Sequence, residues 1–121
     1  MGESQHHPVQ GEHKYQQEVT GTGEHEERPG RSLVTTDHDV IRQWAEERDA
    51  EPSTVPGSEY DGRPGRLLFD FPGYGGDKLE HISWDAWFET FDERELNFIY
   101  QEHMKDGTPS NFFRLENPDR G

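Results

Sequence analysis

Ten residues, Ile82-Ser-Trp-Asp-Ala-Trp-Phe-Glu-Thr-Phe91, constrain the fold of this chain more than any other stretch. Trp84, Trp87, Phe88 and Phe91 fall at i, i+3, i+4 and i+7, the spacing of one helix face. Ser83 stands where an N-cap belongs, its hydroxyl placed to accept a first-turn N–H. Asp85 adds negative charge at the positive end of the helix dipole. Four large side chains on so short a helix require burial against another element.

The rest of the chain supplies few partners for that face. Only 27% of the 121 residues are hydrophobic, against about 45–50% apolar (a count that includes Gly) in typical globular proteins. The aromatic share, 12%, is therefore concentrated. Residues 1–33 hold six Glu, three basic residues and only scattered apolar ones (Val9, Tyr15, Val19, Leu33). Such a segment cannot offset its ordering entropy, so it is expected to be a disordered extension. Residues 34–116 are expected to form a single compact domain, with 117–121 a flexible tail.

Within residues 34–116 the pattern alternates between periods. Thr36-Asp-His-Asp39 matches a capping box before an apolar run, which predicts a helix over Asp37–Arg48. Val40, Ile41, Trp44 and Ala45 would face inward, Arg42, Glu46 and Glu47 outward, and Pro52 would mark the stop. Ser53–Val55 is a strand candidate. Arg66–Phe71 is a clearer one, with Leu67, Phe69 and Phe71 on one face. Leu79–Ile82 leads into the second helix. Leu96, Phe98 and Tyr100 alternate in the next strand, and an Asp106-Gly107 turn returns the chain along Asn111–Leu115. The expected fold is α+β, a small antiparallel sheet of three to five strands with two amphipathic helices on one face, in the order α-β-β-(β)-α-β-β.

Charge limits function. Residues 34–116 hold nineteen acidic and eight basic residues, and the whole chain carries −14. Direct binding of nucleic acid or anionic lipid is disfavoured, and a basic protein is the favoured partner. The absence of cysteine excludes thiolate chemistry and disulfides. No apolar run reaches the ~18 residues of a membrane span, and Met1–His6 lacks the features of a signal peptide. A cytoplasmic protein is expected.

Clusters that resemble chemistry have simpler explanations. Successive residues on a first helical turn splay apart, so Asp37-His38-Asp39 reads as capping. Gly73–Lys78 fits neither phosphate-loop pattern. Ser83 lacks the nucleophile-elbow context. Asp70, His81 and His103 would need the sheet to unite them as a metal triad. His6, His7, His13 and His25 lie in the extension, with no carboxylate spaced to fix a ring tautomer. No catalytic residue, metal ligand or cofactor is expected. The residues nominated for an interaction surface are Tyr60, Tyr74, Trp84, Glu46 and Glu47, the aromatics being also the candidates for stacking on a sugar ring.

The blocks Thr35–Arg48, Leu68–Tyr74, Ile82–Phe91, Leu96–Gln101 and Ser110–Phe112 together resemble a group of short bacterial proteins without an established function. In that group the first helix is usually followed by Gly-Gly or Gly-Lys, where this chain has Asp49-Ala50-Glu51. Members sometimes carry the label 1,4-α-glucan branching enzyme. Such enzymes resemble amylases, whose barrel takes about 250 residues, so the resemblance implies a compact domain and transfers no catalytic residue. The expectation is a non-enzymatic interaction or accessory module. Alternatives are a carbohydrate- or small-molecule-binding protein linked to glucan metabolism, and a small hydrolase or metal-binding protein.

Overall fold

The structure, a computed structural model, describes residues 8–9, 16–59, 62–73 and 78–117. These form an α+β fold with two helices and seven strands among the described residues: β1 (Gln17–Glu18), β2 (Leu33–Thr35), α1 (His38–Glu47), β3 (Glu51–Thr54), β4 (Leu67–Asp70), β5 (Glu80–His81), α2 (Trp84–Glu93), β6 (Asn97–Tyr100) and β7 (Phe113–Glu116). From α1 onward the order is the expected one. The strands, however, divide between two sheets, and contacts divide the chain into two units: residues 1–44 with 95–121, and residues 45–94. Each helix puts its tryptophans on a different sheet, which is why one alternating pattern could not reveal the division.

In the first unit the sheet runs β1-β2-β6-β7. β6 pairs antiparallel with β2 on one side and β7 on the other, Phe98 lying opposite Thr35 and Leu115. β6 is central in this sheet and has no free edge, and all four of its residues are buried, Asn97 and Ile99 as well as the alternating Phe98 and Tyr100. Trp44 of α1 packs edge-on against Phe98, Tyr100 and Phe113 at 5.4–6.2 Å between ring centroids. Its indole N–H donates to the Gln101 carbonyl at 2.8 Å.

The described part of the N-terminal segment is ordered, contrary to the expected disorder of residues 1–33. β1 pairs parallel with β2, Gln17 opposite Leu33. Val19 is buried, its N–H donates to the Val34 carbonyl at 2.9 Å, and its own carbonyl accepts the Thr35 hydroxyl at 2.6 Å. Main-chain pairing does this work with one buried valine, so hydrophobic density gives no sign of it. Residues 1–7 and 10–15 lie outside the described residues, as do 118–121 of the expected tail.

α1 begins one residue later than its capping box suggests. Asp37, not Thr36, caps it: Asp37 Oδ1 accepts the Val40 N–H at 3.0 Å, and the Thr35 hydroxyl accepts the Asp37 N–H at 3.1 Å. Its end is a Schellman turn, with Ala50 N–H to Ala45 carbonyl at 2.9 Å and Asp49 N–H to Glu46 carbonyl at 3.1 Å. Asp49 takes the left-handed conformation this turn requires, φ 54°, where glycine is the residue of least strain.

In the second unit the sheet runs β4-β3-β5, with Pro52 inside the central strand instead of merely stopping the helix. Pro52 lacks an N–H but its carbonyl accepts the Ile82 N–H at 2.9 Å, at the last rung toward β5. One missing donor at a strand end is tolerated where one in mid-ladder would not be. Leu67, Phe69 and Phe71 are buried on one face, as their alternation predicts. Ser83 caps α2, accepting the Ala86 N–H at 3.0 Å. Trp87 stacks on Phe69 at 5.0 Å and on Phe91 at 5.5 Å. Arg94, just past α2, donates to the carbonyls of Gly65 and Pro64. A Cβ at Gly65 would sit 1.9 Å from the Ser58 carbonyl oxygen, so that loop requires glycine.

The hairpin tip between β6 and β7 contributes a pH-dependent interaction. The Thr108 hydroxyl, and secondarily the Thr108 N–H, hold the Asp106 carboxyl below its ordinary value of 3.8. A carboxyl depressed in the folded state contributes fully above its unfolded value, and loses that contribution as pH falls through the folded one. NMR titration of the Asp106 carboxyl should therefore give a midpoint below 3.8, and Thr108→Ala should raise it.

Candidate functional site

The nominated interaction residues fall into three situations. Tyr60 and Tyr74 lie outside the described residues, as does most of the Gly73–Gly76 loop. Glu46 and Glu47 are exposed in the last turn of α1. Trp84 is half-buried and already engaged: it stacks on Phe88 at 5.2 Å with an interplanar angle of 20° and leans on Phe69 at 5.8 Å. A stacking platform needs an open ring face, and Phe88 covers one face of Trp84.

The acidic surface is densest in residues 45–94, which hold thirteen acidic and five basic residues. Both helices end without a basic residue in the last turn. α1 closes on Glu46 and Glu47, and α2 on Asp92 and Glu93. A helix C-terminus carries about half a negative charge, where each carboxylate is unfavourable by about 0.3–1 kcal/mol. Glu93 meets Arg63 and Glu47 meets Arg48 at 3.6 Å, both at exposed acidic partners.

The clusters that resemble chemistry separate. Asp37 is occupied in capping, and Asp39 is exposed. A cavity of about 140 Å³ beside Asp37 is lined also by Val9, Glu18, Val19 and Thr36 among others, below the roughly 300–1,000 Å³ of small-molecule sites. The Ser83 oxygen is the helix cap. Of the proposed triad, His81 Nε2 and Asp70 Oδ2 pair at 2.8 Å in the open. His103 bonds elsewhere.

Its partner is Glu26. His103 Nδ1 lies 2.6 Å from Glu26 Oε2, and His25 Nδ1 lies 3.0 Å from Glu102 Oε2. The Glu26 N–H also donates to Glu102 Oε1 at 3.1 Å. His25 and Glu26 belong to the crossover between the parallel strands β1 and β2; Glu102 and His103 open the β6–β7 hairpin. The two segments are held together by Gly30, whose N–H donates to the His103 carbonyl at 2.9 Å. Gly30 has φ 87°, and a Cβ there would meet Lys105 Cγ at 2.7 Å, so glycine permits the approach. Sequence reasoning missed Glu26 and Glu102, and the carboxylate that meets the His25 ring comes from the distant Glu102, not from its neighbours Glu24 and Glu26. The adjacent pairs His25-Glu26 and Glu102-His103 are the only local sign. Glu12-His13 and Glu80-His81 share the pattern, so it does not discriminate.

No helix among the described residues is long and apolar enough to cross a membrane. No family model, curated protein or solved structure matches the chain.

Proposed function

We propose that this chain is a non-enzymatic accessory module of the cytoplasm that engages a basic protein through its acidic surface. The observation that carries the reading is the excess of eight acidic over basic residues within residues 45–94, with Glu46, Glu47, Asp92 and Glu93 placed at helix C-termini. Carboxylates at the negative end of a helix are held at a cost, and apposed Lys or Arg side chains of a partner relieve it. The same field repels phosphates, so nucleic acid is disfavoured as the direct ligand.

Partners captured on the full chain at low salt, identified and purified, provide the test. Substituting Lys at Glu46, Glu47, Asp92 and Glu93 together is expected to weaken binding of the purified partner by at least about tenfold, chiefly through slower association. Its salt dependence should become shallower. An acidic or neutral partner, or one bound equally well by the substituted chain and at high salt, would refute the reading.

A further inference from the structure

We propose that Glu26, Glu102 and His103 form a binding site for a divalent transition-metal cation of the Zn²⁺ class, with His25 as a fourth donor. One ligand atom from each of the three lies within 4.8 Å of the others. Metal–N and metal–O bonds of about 2.0–2.2 Å bring tetrahedral donors to roughly 3.5 Å from one another. The cluster thus needs only side-chain adjustment to close around an ion. His25 Nδ1 is already 3.0 Å from Glu102 Oε2, and at 62% exposure its side chain has room to rotate.

Glu26 separates this cluster from an ordinary surface ion pair. Its side chain is only 11% exposed, and its Oε1 is buried with no hydrogen-bond partner among the described residues. A buried carboxylate oxygen with no donor is costly, and a cation would supply the missing interaction. Glu102, at 18% exposure, is oriented by the Glu26 N–H. That main-chain bond is the kind of outer contact that fixes a ligating carboxylate. The His103 backbone is fixed by Gly30.

Imidazole and carboxylate donors together suit Zn²⁺ and its neighbours over Mg²⁺ or Ca²⁺, which prefer all-oxygen sets. On binding, each histidine presents its Nδ1 lone pair to the ion and carries its proton on Nε2. Two carboxylates balance the charge of the ion. The donors come from residues 25–26 and 102–103, so the ion would clip the β1–β2 crossover to the β6–β7 hairpin. Because it binds the folded chain, it would also raise the stability of that unit.

Calorimetric titration of the full chain with Zn²⁺, compared with Mg²⁺, tests the site. The expected result is one Zn²⁺ per chain, selective over Mg²⁺ and accompanied by a rise in melting temperature. Glu26→Gln and His103→Ala should each weaken binding at least about tenfold. Replacing His6, His7 and His13 together with Ala should leave it intact. Glu26→Gln preserves side-chain shape, and circular dichroism checks that each variant folds. On the unsubstituted chain, the imidazole nitrogen signals of His103 and His25 should shift with Zn²⁺ before those of the other histidines. The proposal is overturned if no Zn²⁺ binds below millimolar concentration. It is equally overturned if binding disappears with the three N-terminal histidines, or if the first imidazole signals to shift belong to those residues. Binding to a basic partner is measured separately with chelator present, so either outcome here leaves that reading to its own test.

Discussion

Trp87→Ala is expected to destabilise the chain by about 3–5 kcal/mol, measured by denaturant unfolding. Trp87 is fully buried, lying between Phe69 and Phe91 with both rings nearly parallel to its own. Phe88 and Trp84 meet it edge-on. Truncation removes the transfer energy of the ring, opens a cavity and breaks its packing against four other rings at once. It also leaves the Leu68 carbonyl without the indole N–H it accepts at 3.1 Å. A typical domain has only about 5–15 kcal/mol of stability, so this one change removes a large share. Trp87→Phe separates the parts, keeping most of the apolar contact while deleting the N–H, and should cost less than half as much. A loss near zero for Trp87→Ala would place the ring on the surface and revive a ligand-stacking role for the helix.

Trp44→Ala should cost a similar amount, about 3–5 kcal/mol, through the other sheet. Trp44 is 3% exposed and meets Phe98, Tyr100 and Phe113 edge-on. Phe98 in turn stacks on both Tyr100 and Phe113, so the indole closes a four-ring cluster. Its N–H to the Gln101 carbonyl also secures the end of β6. Trp44→Phe should retain part of the packing and lose that hydrogen bond, worth about 0.5–1.5 kcal/mol. Amide exchange should report the difference, with the Trp44→Ala chain losing protection first in β6 and β7. Uniform loss of protection through β3 and β4 as well would mean that this cluster is not local to its sheet.

The elements built from dense apolar periodicity were legible before the structure. The Ser83 cap, the α2 face and the Leu67/Phe69/Phe71 strand face stand where the spacing put them. The α1 cap moved by one residue because Thr36 and Asp37 are both good caps, and the choice between them rests on backbone geometry in the preceding strand. β1 and β2 were illegible for a different reason. Their pairing uses backbone groups that every residue carries, and Val19 is its sole buried side chain in β1's neighbourhood of the extension. The Ser53–Val55 candidate overlaps β3, whose start at Glu51 was hidden because proline normally argues against a central strand, and only the position of the absent Pro52 N–H makes it acceptable.

The Glu26–Glu102–His103 cluster shows the same boundary more sharply. Its partners are separated by 76 or 77 residues, and the Glu-His neighbour pair of residues 102–103 recurs at 12–13, 24–25 and 80–81, so the pair by itself marks nothing. The sequence by itself determined the α+β class, the aromatic helix face and the surplus of negative charge, because these follow from local spacing and composition. Only the tertiary structure decided that the strands form two sheets, that the segment before residue 33 joins one of them, and that two glutamates meet a histidine. Those outcomes depend on which distant backbones hydrogen-bond to each other, and side-chain identity along one segment does not encode that choice.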